Sequence, residues 1–324
     1  MSSDTIFLFE YASCGAFPEL DPSLSIEGIA MFKTLLEGFE SFTKVKTFID
    51  ERVPFFPDYT AVKNHDSLFD DYLSVADFSL IIAPETDLEL YNFIKRLEKS
   101  SSANLGSDSN AVLRASDKYL TYKELTGVNT PKTEVFKGHT TMDFPLVAKP
   151  RDGVSSEGIF MVKSESDLEK VPEGYLLQEY VVGKACSASL LVGDDIVLLS
   201  LNSQEMTDFI YTGATVPIPV DDLEEIFKAT DRINGLFGYV GIDFILNNSQ
   251  IWIIEINPRP TTPIVAFNEV YDINLAELIL KNYYSESIST PMARKIIHMK
   301  KISAVHSKSL VQFQGYSILL EDDG

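Results

Sequence analysis

Apolar and polar positions alternate along the first hundred residues in a way that predicts strands and helices by turns. Residues 5–9 (TIFLF) read as a buried strand. Over residues 25–40 the apolar positions Ile26, Ile29, Ala30, Phe32, Leu35, Leu36 and Phe39 recur at helical spacing, with Ser25 as the expected N-cap. A strand over 45–49, a helix over 68–75, a strand over 78–83 and a helix over 88–99 follow. This alternation predicts a small parallel α/β domain. The polar run 100–109 (SSSANLGSDS) marks its end, giving a first domain over residues 1–105.

Beyond it, residues 117–126 read as a helix closed by Gly127, and 132–136 and 145–149 as strands. A loop rich in glycine and serine covers 151–157, ahead of a strand over 158–162, a short helix from 166 and a strand over 175–182. Residues 106–175 form the expected central lobe and 176–324 the C-terminal one. In the latter, strands are expected at 188–192, 196–202, 241–246 and 251–256, helices at 221–237 and 275–284, and a strand or strand pair at 309–320. Residues 209–213 read as a loop. No internal repeat or low-complexity segment interrupts the chain.

Composition narrows the function classes. The chain has 48 acidic and 27 basic residues, a formal charge of −21, which repels nucleic acid and anionic membranes over most of the surface. Two cysteines rule out a disulfide framework and fit a reduced, cytoplasmic protein. The start lacks a basic segment ahead of its short apolar run, so no signal peptide is expected, and 78–83 is too short to cross a bilayer.

Three segments carry chemistry. The apolar strand Leu146-Val147-Ala148-Lys149 delivers a compact cation next to a loop whose backbone N–H groups could wrap a polyphosphate. The strand Leu177-Gln178-Glu179-Tyr180-Val181 runs into a hinge at Gly183 and could offer backbone groups to a purine edge. Each of these alone reads as readily as an ordinary hairpin or strand. The sharpest signal is Gly241-Ile242-Asp243 with Glu255-Ile256-Asn257-Pro258-Arg259, where oxygen ligands sit inside apolar strands. A buried carboxylate is costly unless paired or bound to a metal. Glu255 and Asn257 share a strand face, Asp243 on a neighbouring antiparallel strand could join them, and such oxygens suit Mg²⁺. Arg259 could hold a developing anionic oxygen.

In this order, with Ser116-Asp117-Lys118 ahead of them, the segments resemble the ATP-grasp superfamily over residues 107–284. The resemblance implies an α/β chain with α+β lobes: an ATP-grasp fold preceded by a small Rossmann-like parallel α/β domain. It implies an ADP-forming ligase that activates a carboxylate as an acyl phosphate and joins it to an amine. The cofactors implied are ATP and two Mg²⁺ ions, with Mn²⁺ able to substitute. Lys118 and Lys149 would contact the phosphates, a lid including Ser155, Ser156 and Gly158 would close over them, and Glu179, Tyr180 and Val181 would bind adenine. Asp243, Glu255 and Asn257 would hold the metal, while Arg259 and Lys149 would act on the reacting groups. Relatives carry an acidic residue just past the hinge for the ribose. Here that stretch is Val182-Gly183-Lys184-Ala185-Cys186-Ser187, leaving the ribose to Ser187 or to a residue elsewhere.

Within the superfamily the chain is most similar to the archaeal tyramine–glutamate ligase family. Phe9-Glu10-Tyr11-Ala12-Ser13, Glu27-Gly28-Ile29-Ala30-Met31, Leu201-Asn202-Ser203-Gln204 and Phe209-Ile210-Tyr211-Thr212-Gly213 carry this finer likeness. It implies γ-glutamyltyramine as the product, in methanofuran biosynthesis. The expected partners are a small-molecule carboxylate and amine, with no nucleic acid or membrane, and a homodimer as the candidate assembly. Two other readings stay open: a ligase for another amino acid or peptide, and a non-catalytic nucleotide-binding regulator. The intact set Asp243, Glu255, Asn257 and Arg259 argues against the second.

Overall fold

The computed structural model describes residues 4–153 and 158–323. Strands β1 (Thr5–Glu10), β2 (Lys44–Lys46), β5 (Phe78–Ile82) and β6 (Ala103–Asn104) form a parallel sheet in the order β2-β1-β5-β6. Strands β3 (Phe48–Asp50) and β4 (Thr60–Val62) pair apart from it. The expected strand over 45–49 is thus two strands serving two sheets, divided at Thr47. The apolar runs of β1 and β5 are buried on both faces, as a helix-covered parallel sheet requires. Helices α1 (Pro22–Glu40), α2 (Asp66–Val75) and α3 (Glu89–Leu97) belong to this part. Helix α1 starts earlier than expected: Asp21, not Ser25, accepts the Leu24 amide, and a proline occupies its first turn.

Next come α4 (Ser109–Ser116), unforeseen in the polar linker and capped by Asp108, and α5 (Lys118–Glu124), capped by Asp117. An antiparallel sheet follows in the order β7-β10-β8-β9, from β7 (Thr133–Val135), β8 (Leu146–Lys149), β9 (Phe160–Val162) and β10 (Leu176–Glu179).

The third sheet has eight antiparallel strands: β11 (Lys184–Val192), β12 (Ile196–Thr207), β13 (Ile210–Val216), β14 (Gly238–Asn247), β15 (Gln250–Asn257), β16 (Ile297–Ile302), β17 (Val311–Phe313) and β18 (Tyr316–Asp322). Their order is β15-β14-β11-β12-β13-β16-β18-β17. The expected loop at 209–213 is the start of β13. Helix α6 (Glu224–Arg232) is shorter than expected, and α7 (Ile264–Tyr271) and α8 (Leu275–Tyr283) precede β16. One apolar core joins Phe7, Phe9 and Phe32 to Ile264, Phe267, Leu275, Met299 and Ile318, so the last sixty residues pack on the N-terminal sheet and its long helix. Among the described residues no helix is long and apolar enough to cross a membrane.

Candidate active site

Strands β14 and β15 pair so that Asp243 stands opposite Glu255 and Gly241 opposite Asn257, with an irregularity directly after Asp243. A bulge at that point re-aims side chains, and the three oxygen-bearing groups meet. Asp243 accepts Gln204 Nε2 at 2.8 Å and Asn257 Nδ2 at 3.2 Å, and hydrogen-bonds to Glu255. Lys118 Nζ lies 3.4 Å from Glu255 Oε2 and donates to the Gly153 carbonyl at 2.8 Å. Lys149, 3% exposed at the end of β8, donates to Gln178 Oε1 at 2.9 Å, and Gln178 in turn donates to Thr133.

Burial, and then the neighbouring Glu255, push the Asp243 carboxyl well above the usual carboxylate range. Burial acts on Glu255 too, but Lys118 and Lys149 outweigh it and hold that group low. Burial brings the Lys149 ammonium down to about 8, against the pull of Glu255 and with help from the repulsion of Lys118. Two half-buried carboxylates in contact are stabilised by sharing a proton or a cation. An oxygen-only donor set of two carboxylates and an amide fits a hard divalent ion such as Mg²⁺. Among the described residues no three His, Cys, Asp or Glu side chains gather to hold a metal. Two carboxylates and one amide oxygen leave positions of an octahedral shell to other oxygens. That agrees with Mg²⁺ bound by one or two carboxylates plus substrate phosphates, and oxygen ligands also accept Mn²⁺.

Arg259 follows β15 and is 13% exposed. It pairs with Glu85 Oε2 at 2.7 Å, while Arg259 Nε and Glu85 Oε1 are buried without a hydrogen-bond partner among the described residues. Burial opposes the Arg259 charge, and Glu85 more than offsets that. Glu85 lies just past the end of parallel strand β5, ahead of Asp87 and Leu88 in left-handed backbone conformations. Ligands gather at such carboxyl ends of parallel strands. A cavity of about 200 Å³ opens there, lined by Asp243, Glu255, Asn257 and Arg259 and also by Glu10, Tyr11, Phe17 and Met31. The Arg151 guanidinium pairs with Asp117, the cap of α5, and so ties that helix to the loop after β8.

The structure brings together Lys118, Lys149, Asp243, Glu255, Asn257 and Arg259. The hinge residues Glu179, Tyr180 and Val181 lie at the end of β10, where Glu179 is opposite Leu146 and the Tyr180 amide faces the Pro145 carbonyl at 3.4 Å. Gly158 is exposed with φ 73°, and Ser155 and Ser156 lie outside the described residues. Both cysteines are buried, and burial pushes the thiols up, Cys14 to about 12 and Cys186 to about 11, which denies either a nucleophilic role. Glu85 escaped sequence reasoning, while Gln178 and Gln204 stand in segments named above without their contacts to Lys149 and Asp243. For Glu85 the available signal was a Pro-Glu step at the end of an apolar parallel strand.

A pre-ATP-grasp domain family matches residues 49–112 and an ATP-grasp domain family residues 115–263. The tyramine–L-glutamate ligase of Methanocaldococcus fervens is 36% identical over 317 residues, covering 91% of this chain and 100% of that protein. The enzyme of the same name from Methanocaldococcus jannaschii is 36% identical over 299 residues, covering 87% and 90%. A solved structure assigned to the ATP-grasp superfamily, from Archaeoglobus fulgidus, superposes with a TM-score of 0.85 at 33% identity, over 99% of this chain and 100% of that one. With lysines, paired carboxylates and an arginine converging on one cavity, and with relatives alike from end to end, the chain belongs to the ATP-grasp family of ATP-dependent carboxylate–amine ligases.

Proposed function

We propose that this ligase joins the γ-carboxylate of L-glutamate to the amine of tyramine, releasing γ-glutamyltyramine, ADP and phosphate. The observation that carries the reading is the continuity of the charged cluster with the organic cavity. The same space is lined by Asp243, Glu255 and Arg259 and by Tyr11, Phe17 and Met31. A phosphoryl donor and an organic acid therefore have a common meeting point at Arg259. The names of the two Methanocaldococcus relatives support the choice of substrates.

In this reading Lys118 and Lys149 bind the polyphosphate, and Glu179, Tyr180 and Val181 face the adenine. Asp243, Glu255 and Asn257 hold Mg²⁺, which neutralises phosphate oxygens when bound. Arg259, kept charged and oriented by Glu85, steadies the negative oxygens of the activated carboxylate and of the tetrahedral adduct. Bound beside the activated carboxylate, the amine is held in position to attack it in preference to solvent. Positioning and electrostatics supply the acceleration, and no side chain becomes covalently attached. The test is a screen of acids and amines read by phosphate release and by product mass. Glutamate with tyramine should give stoichiometric phosphate and the mass of γ-glutamyltyramine. Turnover with another acid and amine, but none with this pair, would overturn the substrate assignment.

A further inference from the structure

Helix α1 and strand β13 also contribute to the cavity wall, with β16 packed behind them. Glu27 of α1 and Lys301 of β16 pair there at 2.6 Å, with side-chain exposures of 12% and 6%. Lys301 also reaches Ser23 Oγ at 3.3 Å and the Ser23 carbonyl at 3.4 Å, so its three protons are engaged. Thr262 donates to the other Glu27 oxygen at 2.8 Å. Tyr211 of β13 lies with its ring 5.9 Å from the Lys301 ammonium. Both Glu27 and Tyr211 line the cavity. The Tyr211 hydroxyl is buried and has no hydrogen-bond partner among the described residues. A buried hydroxyl left unpaired is unfavourable, and a donor reaching it from the cavity would satisfy it.

The surroundings decide which ligand. Besides burial, the charges that reach the phenol are those of Glu27, Asp243 and Glu205, and all push it away from ionising. Lys301, the adjacent cation, is already neutralised. An anion is repelled here and a cation is welcome. Each Glu27 oxygen retains a second lone pair beyond the bond it accepts. Leu24 and Met31 stand near Glu27 along α1 and also line the cavity, offering apolar wall to a carbon skeleton.

We propose that Glu27 and Tyr211 form a subsite for a primary ammonium group, with the phenol oxygen accepting one N–H and the Glu27 carboxylate another. This rests on the amide-ligase reading, in which two molecules carry such a group: the arylalkylamine and the amino acid through its α-ammonium.

Calorimetric titration in the presence of a non-hydrolysable ATP analogue separates them. Tyramine is compared with 4-ethylphenol and glutamate with glutarate, so that each pair differs only by the amine. The wild type should prefer the amine of one pair by about tenfold or more, and Tyr211→Phe and Glu27→Gln should abolish that preference. The pair affected names the molecule bound. Tyr211→Phe keeps the ring over Lys301 and removes an unpaired hydroxyl, so it should melt at or above the wild-type temperature. It therefore remains informative if Glu27→Gln, which strands Lys301, fails to fold. Absence of an amine preference in both pairs, or its survival in Tyr211→Phe, would overturn the subsite. An amine preference in a protein that does not turn over glutamate with tyramine would keep the subsite and reject the proposed reaction.

Discussion

Glu85 and Arg259 form an ion pair in which each partner keeps one atom unsatisfied among the described residues, Oε1 and Nε. Removing one member of such a buried pair leaves an uncompensated charge, an effect of about 3–5 kcal/mol when the group is deleted. Glu85→Gln keeps the shape but not the charge. It should lower turnover about tenfold or more while the KM for ATP stays near wild type, since Arg259 acts on the organic acid. An unchanged turnover would show that Arg259 needs no counter-charge. Glu255→Gln removes a carboxylate from the proposed metal set and should cost several kcal/mol of transition-state stabilisation, about a hundredfold or more in turnover, in a protein with an unaltered circular dichroism spectrum. Wild-type turnover at saturating Mg²⁺ would end that assignment. Lys149 gives a pH signature. Its folded value, about 8, lies below the ordinary 10.5. Below about 8 the nucleotide-free fold must bury a charged lysine, and that penalty fades as pH rises toward 10.5. A bound polyphosphate restores the charge. Nucleotide binding above pH about 8 should therefore take up a proton, seen as a buffer-dependent heat, and Lys149→Arg should abolish the uptake. Equal uptake in both proteins would place the proton elsewhere.

At the scale of elements, what the chain reveals depends on how a segment is buried. Strands β1 and β5 are enclosed on both faces and read as continuous apolar runs. Asp243, Glu255 and Asn257 stand out because each interrupts such a run. Strand β13 was hidden because its hairpin turns on Asp208 and Phe209, both at positive φ (49° and 65°), without the Asn-Gly or Asp-Gly pair that marks such turns. Helix α7 was hidden by the reverse problem: IVAFNEVY is buried nearly all round and lacks an amphipathic period. Glu27 of α1 and the β12–β13 hairpin carrying Gln204 and Tyr211 are far apart in the chain, and their meeting at one cavity is a product of the tertiary fold. One contact between elements is unusually exacting. A Cβ on Gly28 of α1 would run into the Glu10 carboxylate, which is held by the amides of Ala12 and Ser13 and by the Ser13 hydroxyl. Gly28→Ala should lower the unfolding free energy by about 1–3 kcal/mol in a denaturant titration. Undiminished stability would show that α1 slides freely on β1.

At the scale of the molecule, the cavity lies where the carboxyl ends of the N-terminal parallel strands meet the large antiparallel sheet. Glu10, Tyr11 and Pro84 come from one side and Gln204, Asp243 and Arg259 from the other. Residues 264–322 close the arrangement by sharing a core with α1 and β1, so the N-terminal unit serves as a wall of the site. In the proposed reading the organic acid binds in this cavity, and its carboxylate is activated by phosphorylation before the amine arrives. The direct test is turnover of tyramine with glutamate carrying ¹⁸O in its γ-carboxylate, followed by mass analysis of the phosphate released. Acyl-phosphate chemistry requires one labelled oxygen to pass from the carboxylate to phosphate for every amide formed. Unlabelled phosphate, or label appearing in AMP, would contradict it.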